Sequence, residues 1–180
     1  MILLIEASPR KNGNGAYIAA KIFDRFKDKG VTRFRLSEMD FKDCLACRSC
    51  KKNDSVCITK DDMQKIYPFL LDADTIILIS PSYYGFVNGE AKKFIDRLYC
   101  MKKADKTSRY KEGAKLVFLL TMGKGNRDRG NFTQEWLKQI ADNSSLKFYG
   151  VSIPNCSFDN TDGALLKAEE VLMGVSFFGV

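Results

Sequence analysis

Hydrophobic positions in this chain follow two alternating patterns. Thr75-Ile76-Ile77-Leu78-Ile79 and Lys115-Leu116-Val117-Phe118-Leu119-Leu120 contain unbroken apolar runs, and Met1-Ile2-Leu3-Leu4-Ile5 is a third short one. Strands buried on both faces look like this, as in a parallel sheet covered by helices. Thr32–Leu36 and Lys147–Ile153 complete five strand-like runs. Between them the apolar spacing changes to that of a helix. Ala16–Lys29 places Ile18, Ile22, Phe23 and Phe26 on one stripe, and Gly89–Met101 does the same with Ala91, Phe94, Ile95, Leu98 and Tyr99. Asp61–Leu71 opens on paired acids that suit a helix N-terminus, and Phe132–Asn143 carries Trp136, Leu137 and Ile140. Asp162–Met173 follows Thr161 or Asp162 as a cap.

Five strands alternating with five helices predict a doubly wound α/β domain. The expected architecture is a five-stranded parallel sheet with helices on both faces, in one domain over residues 1–180. No repeat, low-complexity linker or second domain interrupts it. Ligands on such sheets sit beyond the carboxyl ends of the strands, near the point where strand order reverses. Residues 8–16, 80–89 and 121–131 are therefore the segments expected to form a site.

A length of 180 residues, 45% hydrophobic and 28% charged, describes a globular domain with a real core. No apolar run reaches the length of a membrane span, and the N-terminal run is too short for a signal peptide and lacks basic residues before it. The apolar Val171–Val180 is also too short to span a bilayer; it is expected on the domain surface or at a subunit contact. A cytoplasmic location follows as the default. The charge balance of 29 basic to 22 acidic residues gives +7, but the charges are scattered and no nucleic-acid motif appears. Solvated helix faces and a site for anionic cofactors account for it better. The chain has no histidine. That removes Ser-His-Asp triads, Cys-His dyads and His-based zinc sites, and leaves chemistry to other groups or to a cofactor.

After the first strand the chain reads Ala7-Ser8-Pro9-Arg10-Lys11-Asn12-Gly13-Asn14-Gly15-Ala16. A turn of small and hydroxyl residues at a helix start bares backbone N–H groups, with the positive helix end behind them. Ser8, Arg10, Lys11, Asn12, Asn14, Gly15 and Ala16 are the expected phosphate cradle; an ordinary strand–helix turn is the alternative. After the third strand comes Ser80-Pro81-Ser82-Tyr83-Tyr84-Gly85-Phe86-Val87-Asn88-Gly89. Pro81 is expected to end the strand and stiffen the loop. Gly85 and Gly89 permit close backbone approach, and Tyr83, Tyr84 and Phe86 offer flat surfaces for a planar heteroaromatic ring. The alternative is that these aromatics plug the sheet edge or a dimer contact. Thr121 and Gly123, after the fourth strand, line the other side. A phosphate cradle beside an aromatic loop describes a mononucleotide with a large flat ring, and no Gly-x-Gly-x-x-Gly follows the first strand.

Ser8-Pro9-Arg10-Lys11-Asn12-Gly13-Asn14 resembles the Ser-Pro-Arg turn of NADPH-dependent FMN reductases and iron–sulfur flavoproteins, which are flavodoxin-like. Pro81-Ser82-Tyr83-Tyr84-Gly85 resembles their flavin-ring loop, and Ala91-Lys92-Lys93-Phe94-Ile95-Asp96-Arg97 the helix that follows. The resemblance runs from residue 1 to about residue 125 and implies FMN as cofactor and NAD(P)H as co-substrate. Ala7 stands where the family usually has glycine, and Gly15 where it usually has a threonine that would bring a hydroxyl to the phosphate.

Cys44, Cys47, Cys50 and Cys57 read Cys-x2-Cys-x2-Cys-x6-Cys within a cysteine-rich loop, residues 40–60, inserted after the second strand. Four thiolates so close suit an iron–sulfur cluster. The spacing resembles the compact motif of the iron–sulfur flavoproteins, which implies a [4Fe–4S] cluster near the flavin of the same or a partner subunit. Zinc, whose usual arrangement is two separated pairs, and a loop without metal stay open as alternatives. Disulfides do not suit a reducing cytosol. Cys100 and Cys156 read as core thiols. The combined expectation is an FMN-dependent oxidoreductase that takes hydride from NAD(P)H and passes electrons to the cluster, a quinone or another acceptor. No side-chain acid or base is expected. The alternative is a non-enzymatic flavodoxin-like electron carrier. Expected partners are redox small molecules or an electron-carrier protein, with neither nucleic acid nor membrane. Gly89–Met101 carries surplus apolar surface beside Tyr99, and the resemblance implies a homodimer or a dimer of dimers.

Overall fold

A computed structural model describes residues 1–156 apart from Lys124 and Asn126. The helix expected over Asp162–Met173 and the apolar Val171–Val180 lie outside the described residues. In chain order the elements are β1 (Ile2–Glu6), α1 (Asn14–Phe26), β2 (Val31–Arg35), α2 (Ser49–Lys52), α3 (Met63–Asp72) and β3 (Thr75–Tyr83). They continue with β4 (Phe86–Val87), α4 (Gly89–Arg97), β5 (Lys115–Thr121), α5 (Asn131–Asp142) and β6 (Lys147–Ile153).

Five strands form a parallel sheet in the order β2-β1-β3-β5-β6, and β4 pairs antiparallel with the end of β3. The register sets Leu4 beside Arg33 and Ile77, and Ile77 beside Val117. This is the flavodoxin-like order, with its topological reversal between β1 and β3. The unbroken apolar runs arise because alternate residues feed two cores. Leu4, Ile77, Ile79, Val117 and Leu119 pack with Ile18 and Ile22 of α1. Leu3, Ile5, Ile76, Leu78 and Phe118 pack on the other face, with Ile66 of α3, Phe94 of α4 and Leu137 of α5. Each such side chain, fully buried, contributes about 1.5–3 kcal/mol. Among the described residues no helix is long and apolar enough to cross a membrane.

Two features differ from the sequence expectation at the rim. First, β3 does not end at Pro81 but continues to Tyr83. Ile79 O accepts the Ala7 N–H at 2.9 Å, so by strand alternation the Pro81 nitrogen faces β1, which has already turned away. The missing proline donor therefore removes no ladder bond. Second, the aromatic segment is a hairpin rather than an open loop. Tyr84 (φ 51°) and Gly85 (φ 80°) are both left-handed, the conformation of a two-residue turn whose twist matches its strands. Tyr84 is fully exposed at its tip.

The paired acids precede α3 instead of opening it. Asp61 accepts the Met63 N–H at 3.1 Å. It also forms a buried ion pair with Arg97 at the end of α4, where the two side chains are 5% and 1% exposed. Arg97 Nη1 donates to Asp61 Oδ2 at 2.6 Å and to Lys42 O at 2.7 Å, and Nη2 donates to Asp61 Oδ1 at 3.2 Å. One guanidinium thus fastens the base of the cysteine loop to α3 and α4. Burial pushes the Asp61 carboxyl up, but the Arg97 hydrogen bonds and charge and the Lys42 and Met63 amides outweigh it and hold it below its ordinary value.

Replacing Arg97 with methionine strands the Asp61 charge, and we expect a loss of about 3–5 kcal/mol in urea unfolding at neutral pH. Because the folded Asp61 carboxyl is depressed, its contribution is complete above the unfolded carboxylate value near ~4 and fades as pH falls through the lower folded value. The wild type should therefore lose stability in that acid range, and the variant should show a flatter profile there. At the hairpin tip, Tyr84→Asn relieves a left-handed tyrosine and is expected to raise the unfolding free energy by about 1 kcal/mol.

Candidate functional site

After Ala7 the chain leaves the sheet through residues 8–13 and enters α1 at Asn14, two residues before the expected start. Asn14, Gly15 and Ala16 are therefore the first helical turn. Gly13 N–H donates to Arg10 O at 3.3 Å and closes the turn, and Tyr17 N–H donates to Gly13 O at 3.0 Å as the helix begins. No side chain caps α1, and its first turn holds no acid. The positive helix end is thus presented to the loop without a built-in anion. Ser8, Asn14, Gly15 and Ala16 are buried around it, while Lys11 and Asn12 are exposed. Arg10 folds back on the turn: its Nε lies 3.5 Å from where a Gly13 Cβ would stand. A Cβ on Gly15 would meet the Ser8 Cβ at 3.2 Å, so the glycine lets Ser8 lie against the first helical turn.

Glu6, at the end of β1, is wholly buried, and sequence reading did not single it out. Arg33 pairs with it at 2.5 Å and Arg35 at 3.6 Å, both from β2. These two cations neutralise a carboxylate that would otherwise set a buried negative charge beneath the start of the loop. The turn after β2 also supports the loop: Ser37 Oγ donates to Ser8 O at 3.4 Å, and Lys11 Nζ lies 3.9 Å from Glu38.

The hairpin stands beside this cradle because β3 is the neighbour of β1. A buried polar knot joins them. Asn88 Nδ2 donates to Ala7 O at 2.7 Å, and its Oδ1 accepts the Ala91 N–H at 3.3 Å and so caps α4. Ser80 Oγ lies 3.1 Å from Asn88 Oδ1, and the Asn88 N–H donates to Ser80 Oγ at 3.3 Å. Neither residue was picked from the sequence; Asn88 directly before Gly89 carried the ordinary helix-cap signal. Pro81 is buried, Ser82 half-buried, and Tyr83, Tyr84 and Gly85 exposed. Phe86 is engaged with α5: its ring centroid lies 4.6 Å from that of Trp136 and 5.9 Å from that of Phe132. Thr133 Oγ1 donates to Gly85 O at 3.0 Å and fixes the turn from the same helix. Thr121 is buried in register with Pro81, and Gly123 is exposed on the third segment of the rim.

The cysteine loop lies elsewhere, against the far end of α4. Cys44 and Cys47 are exposed thiols, Cys50 is buried and Cys57 is intermediate. All four, with Arg97 and Cys100, line one small cavity of about 20 Å³. Three residues of the loop, Ala46, Arg48 and Asp54, have left-handed backbones at φ 50°, 57° and 45°. Hydrogen bonds from the Ser49 hydroxyl and amide hold the Cys47 thiol below its ordinary value. Burial pushes Cys50 up. Burial also pushes Cys57 up, but the Thr59 hydroxyl and amide and the Arg97 charge outweigh it and bring the thiol down. The four side chains are all sulfur donors around one cavity, and two of them are held below their ordinary values, the donor chemistry that a soft metal group takes. Among the described residues, no three Cys, Asp or Glu side chains stand close enough to hold a metal ion as the loop is arranged. Cys100 and Cys156 are buried, as expected of core thiols.

Comparison with known proteins agrees with this fold. An iron–sulfur flavoprotein of Methanocaldococcus jannaschii is 37% identical over 95 residues, covering 52% of this chain and 48% of that protein. One from Methanosarcina thermophila is 32% identical over 115 residues, covering 62% and 59%. The chain thus matches about half the length of these relatives. Among solved structures, a quinone reductase from Klebsiella pneumoniae, described as putative, superposes with a TM-score of 0.74 at 14% identity, covering 98% of this chain and 84% of that one. An FMN-dependent NADH-azoreductase from Bacillus anthracis, solved with FMN, gives 0.68 at 15% identity and 99% of both chains. These two likenesses establish the fold. The profile of the NADPH-dependent FMN reductases matches residues 1–158, and the chain belongs to that family.

Proposed function

We propose that this chain is an FMN-dependent oxidoreductase that takes its electrons from NAD(P)H. The observation that carries the reading is the uncapped, acid-free start of α1, facing Ser8 and Arg10, with Glu6 neutralised beneath it. That is a site for a phosphate monoester. Ser8, Arg10, Asn12, Asn14, Gly15 and Ala16 would hold the phosphate, with Lys11 adding charge at the surface. Backbone groups of residues 82–86 would meet the ring edge, and Tyr83 and Tyr84 would cover it, while Phe86 braces the hairpin against α5. Thr121 and Gly123 would close the third side. Bound there, the flavin supplies the hydride and electron chemistry, while the protein supplies position and electrostatics. The rim residues Ser8, Asn14, Ser80, Ser82, Asn88 and Thr121 are hydroxyls and amides, so no side chain is assigned as acid or base.

Cys44, Cys47, Cys50 and Cys57 are the proposed ligands of a [4Fe–4S] cluster, which would supply one-electron transfer at the end of α4 remote from the flavin rim. The names of the relatives and the placing of all four thiols around one cavity support this. Left-handed Ala46, Arg48 and Asp54 suit a loop wound around an occupant. Quinone-like small molecules or a carrier protein are the proposed acceptors. The exposed Tyr83, Tyr84, Tyr99 and Phe132 support assembly into a dimer or tetramer, and a cytoplasmic setting is consistent with the free thiols Cys44 and Cys47.

Protein purified without oxygen should show flavin bands, or acquire them on incubation with FMN. A preparation that stays colourless would overturn the flavin assignment. Arg10→Ala should weaken FMN binding by roughly 10- to 100-fold, the equivalent of a lost charged hydrogen bond of ~1.5–3 kcal/mol, measured by flavin fluorescence quenching. Iron and sulfide analysis after anaerobic reconstitution should find about four of each per chain. Cys47→Ser should abolish the broad visible absorption while leaving FMN stoichiometry intact. Steady-state NADH and NADPH oxidation distinguishes a reductase from a flavodoxin-like carrier, which would show negligible turnover.

A further inference from the structure

A cavity of about 640 Å³ opens between α4 and α5, on the sheet face away from α1. Its volume falls within the range of small-molecule sites. Ile76, Leu78 and Leu116 form its floor, in the amino-terminal halves of β3 and β5, and Phe94, Leu137 and Ile140 form its walls. No residue of the proposed flavin rim lines it. It shares one wall, Cys44, Ala46, Arg48 and Tyr99, with the cysteine pocket.

The polar groups around this apolar interior are unequal in charge. Arg48 and Lys102 line the cavity, and among the described residues neither makes an ion pair. The one lining carboxylate, Asp96, is engaged by Lys92 at 2.7 Å. Arg48 is exposed and Lys102 half-buried, so both belong to the mouth rather than the floor. An apolar chamber with two uncommitted cations at its entrance matches one kind of occupant. A neutral hydrocarbon would leave the cations unused. A sugar or nucleotide would lose its hydration against Ile76, Leu78 and Leu116 without recovering hydrogen bonds.

We propose that this cavity is a second ligand site, for an amphipathic monoanion whose apolar ring or chain lies between α4 and α5. Its carboxylate or sulfonate head meets Arg48 and Lys102. The inference stands on the cavity and its charges and does not rest on the flavin reading. Because Arg48 sits in the cysteine loop, an occupant bears on the wall that the two pockets share.

The test uses the full chain saturated with FMN, titrated with 8-anilinonaphthalene-1-sulfonate and then with straight-chain carboxylates from hexanoate to dodecanoate. One dye should bind per chain, and the carboxylates should displace it with affinities that rise about fourfold per methylene until the cavity is full. The double variant Arg48→Ala, Lys102→Ala should weaken dye binding at least tenfold. Ile140→Trp, which fills the chamber, should abolish it. Both variants should keep FMN stoichiometry and the wild-type unfolding midpoint. Dye binding that survives the double variant unchanged, is competed by excess FMN, or is indifferent to carboxylate chain length would overturn the proposal. So would a cavity closed to dye in proportion to self-association, which would show a second copy of the chain as its occupant. Repeating the titration without FMN separates the two readings, since failure to bind flavin leaves the dye result standing.

Discussion

The candidate site depends on a single buried side chain, Asn88. Its amide donates to Ala7 O, at the point where β1 stops pairing with β3, and its carbonyl caps α4. The contact joins residues 81 positions apart. Without it the loop of residues 8–13 and the aromatic hairpin would be two neighbouring turns on one sheet edge. With it, a shift in either displaces the other, because the Asn88 polar atoms are removed from water and have no alternative partners of equal quality. Ser80 completes the knot from within β3. The loop therefore takes its shape from the sheet, and the sheet takes its order from the two cores that α1 and the α3–α5 layer close over it.

Electrostatics at the rim follow the same economy. The glutamate at the end of β1, buried below the start of the loop, is matched by Arg33 and Arg35 beside it on β2. The three residues are an internal salt, and they leave the start of α1 as the field that a ligand meets. The excess positive charge of the chain is thus partly spoken for inside the fold, as well as spread over its surface.

Most of this architecture was legible from residue patterns. Two-sided apolar runs gave β3 and β5 because a strand buried on both faces has no reason to alternate. The turn that leads from β1 into α1 was legible through residue type alone. What was not legible depended on partners distant in sequence. Pro81 suggested a strand end because its missing N–H matters only if a neighbour needs it, and whether β1 still lies alongside is a three-dimensional fact. The Tyr84-Gly85 hairpin lacked the usual Asn-Gly or Asp-Gly signature, since a tyrosine occupies the first left-handed position. The Asp61–Arg97 pair was hidden for a related reason: both residues resemble ordinary surface charges in their own segments, and only their meeting buries them. Asn88 was an ordinary cap until its second contact, to Ala7, appeared.

Helix α4 has a further consequence. It begins at the Asn88 knot and ends at Arg97, which anchors the cysteine pocket. At ~1.5 Å of rise per residue, nine steps separate the two by about 14 Å. Both extremities are clamped by buried polar contacts, so the helix acts as a ruler of fixed length. An electron passing within one subunit between the proposed flavin and cluster sites would cross a gap set by the number of residues in α4, and inserting a single turn there would change its rate.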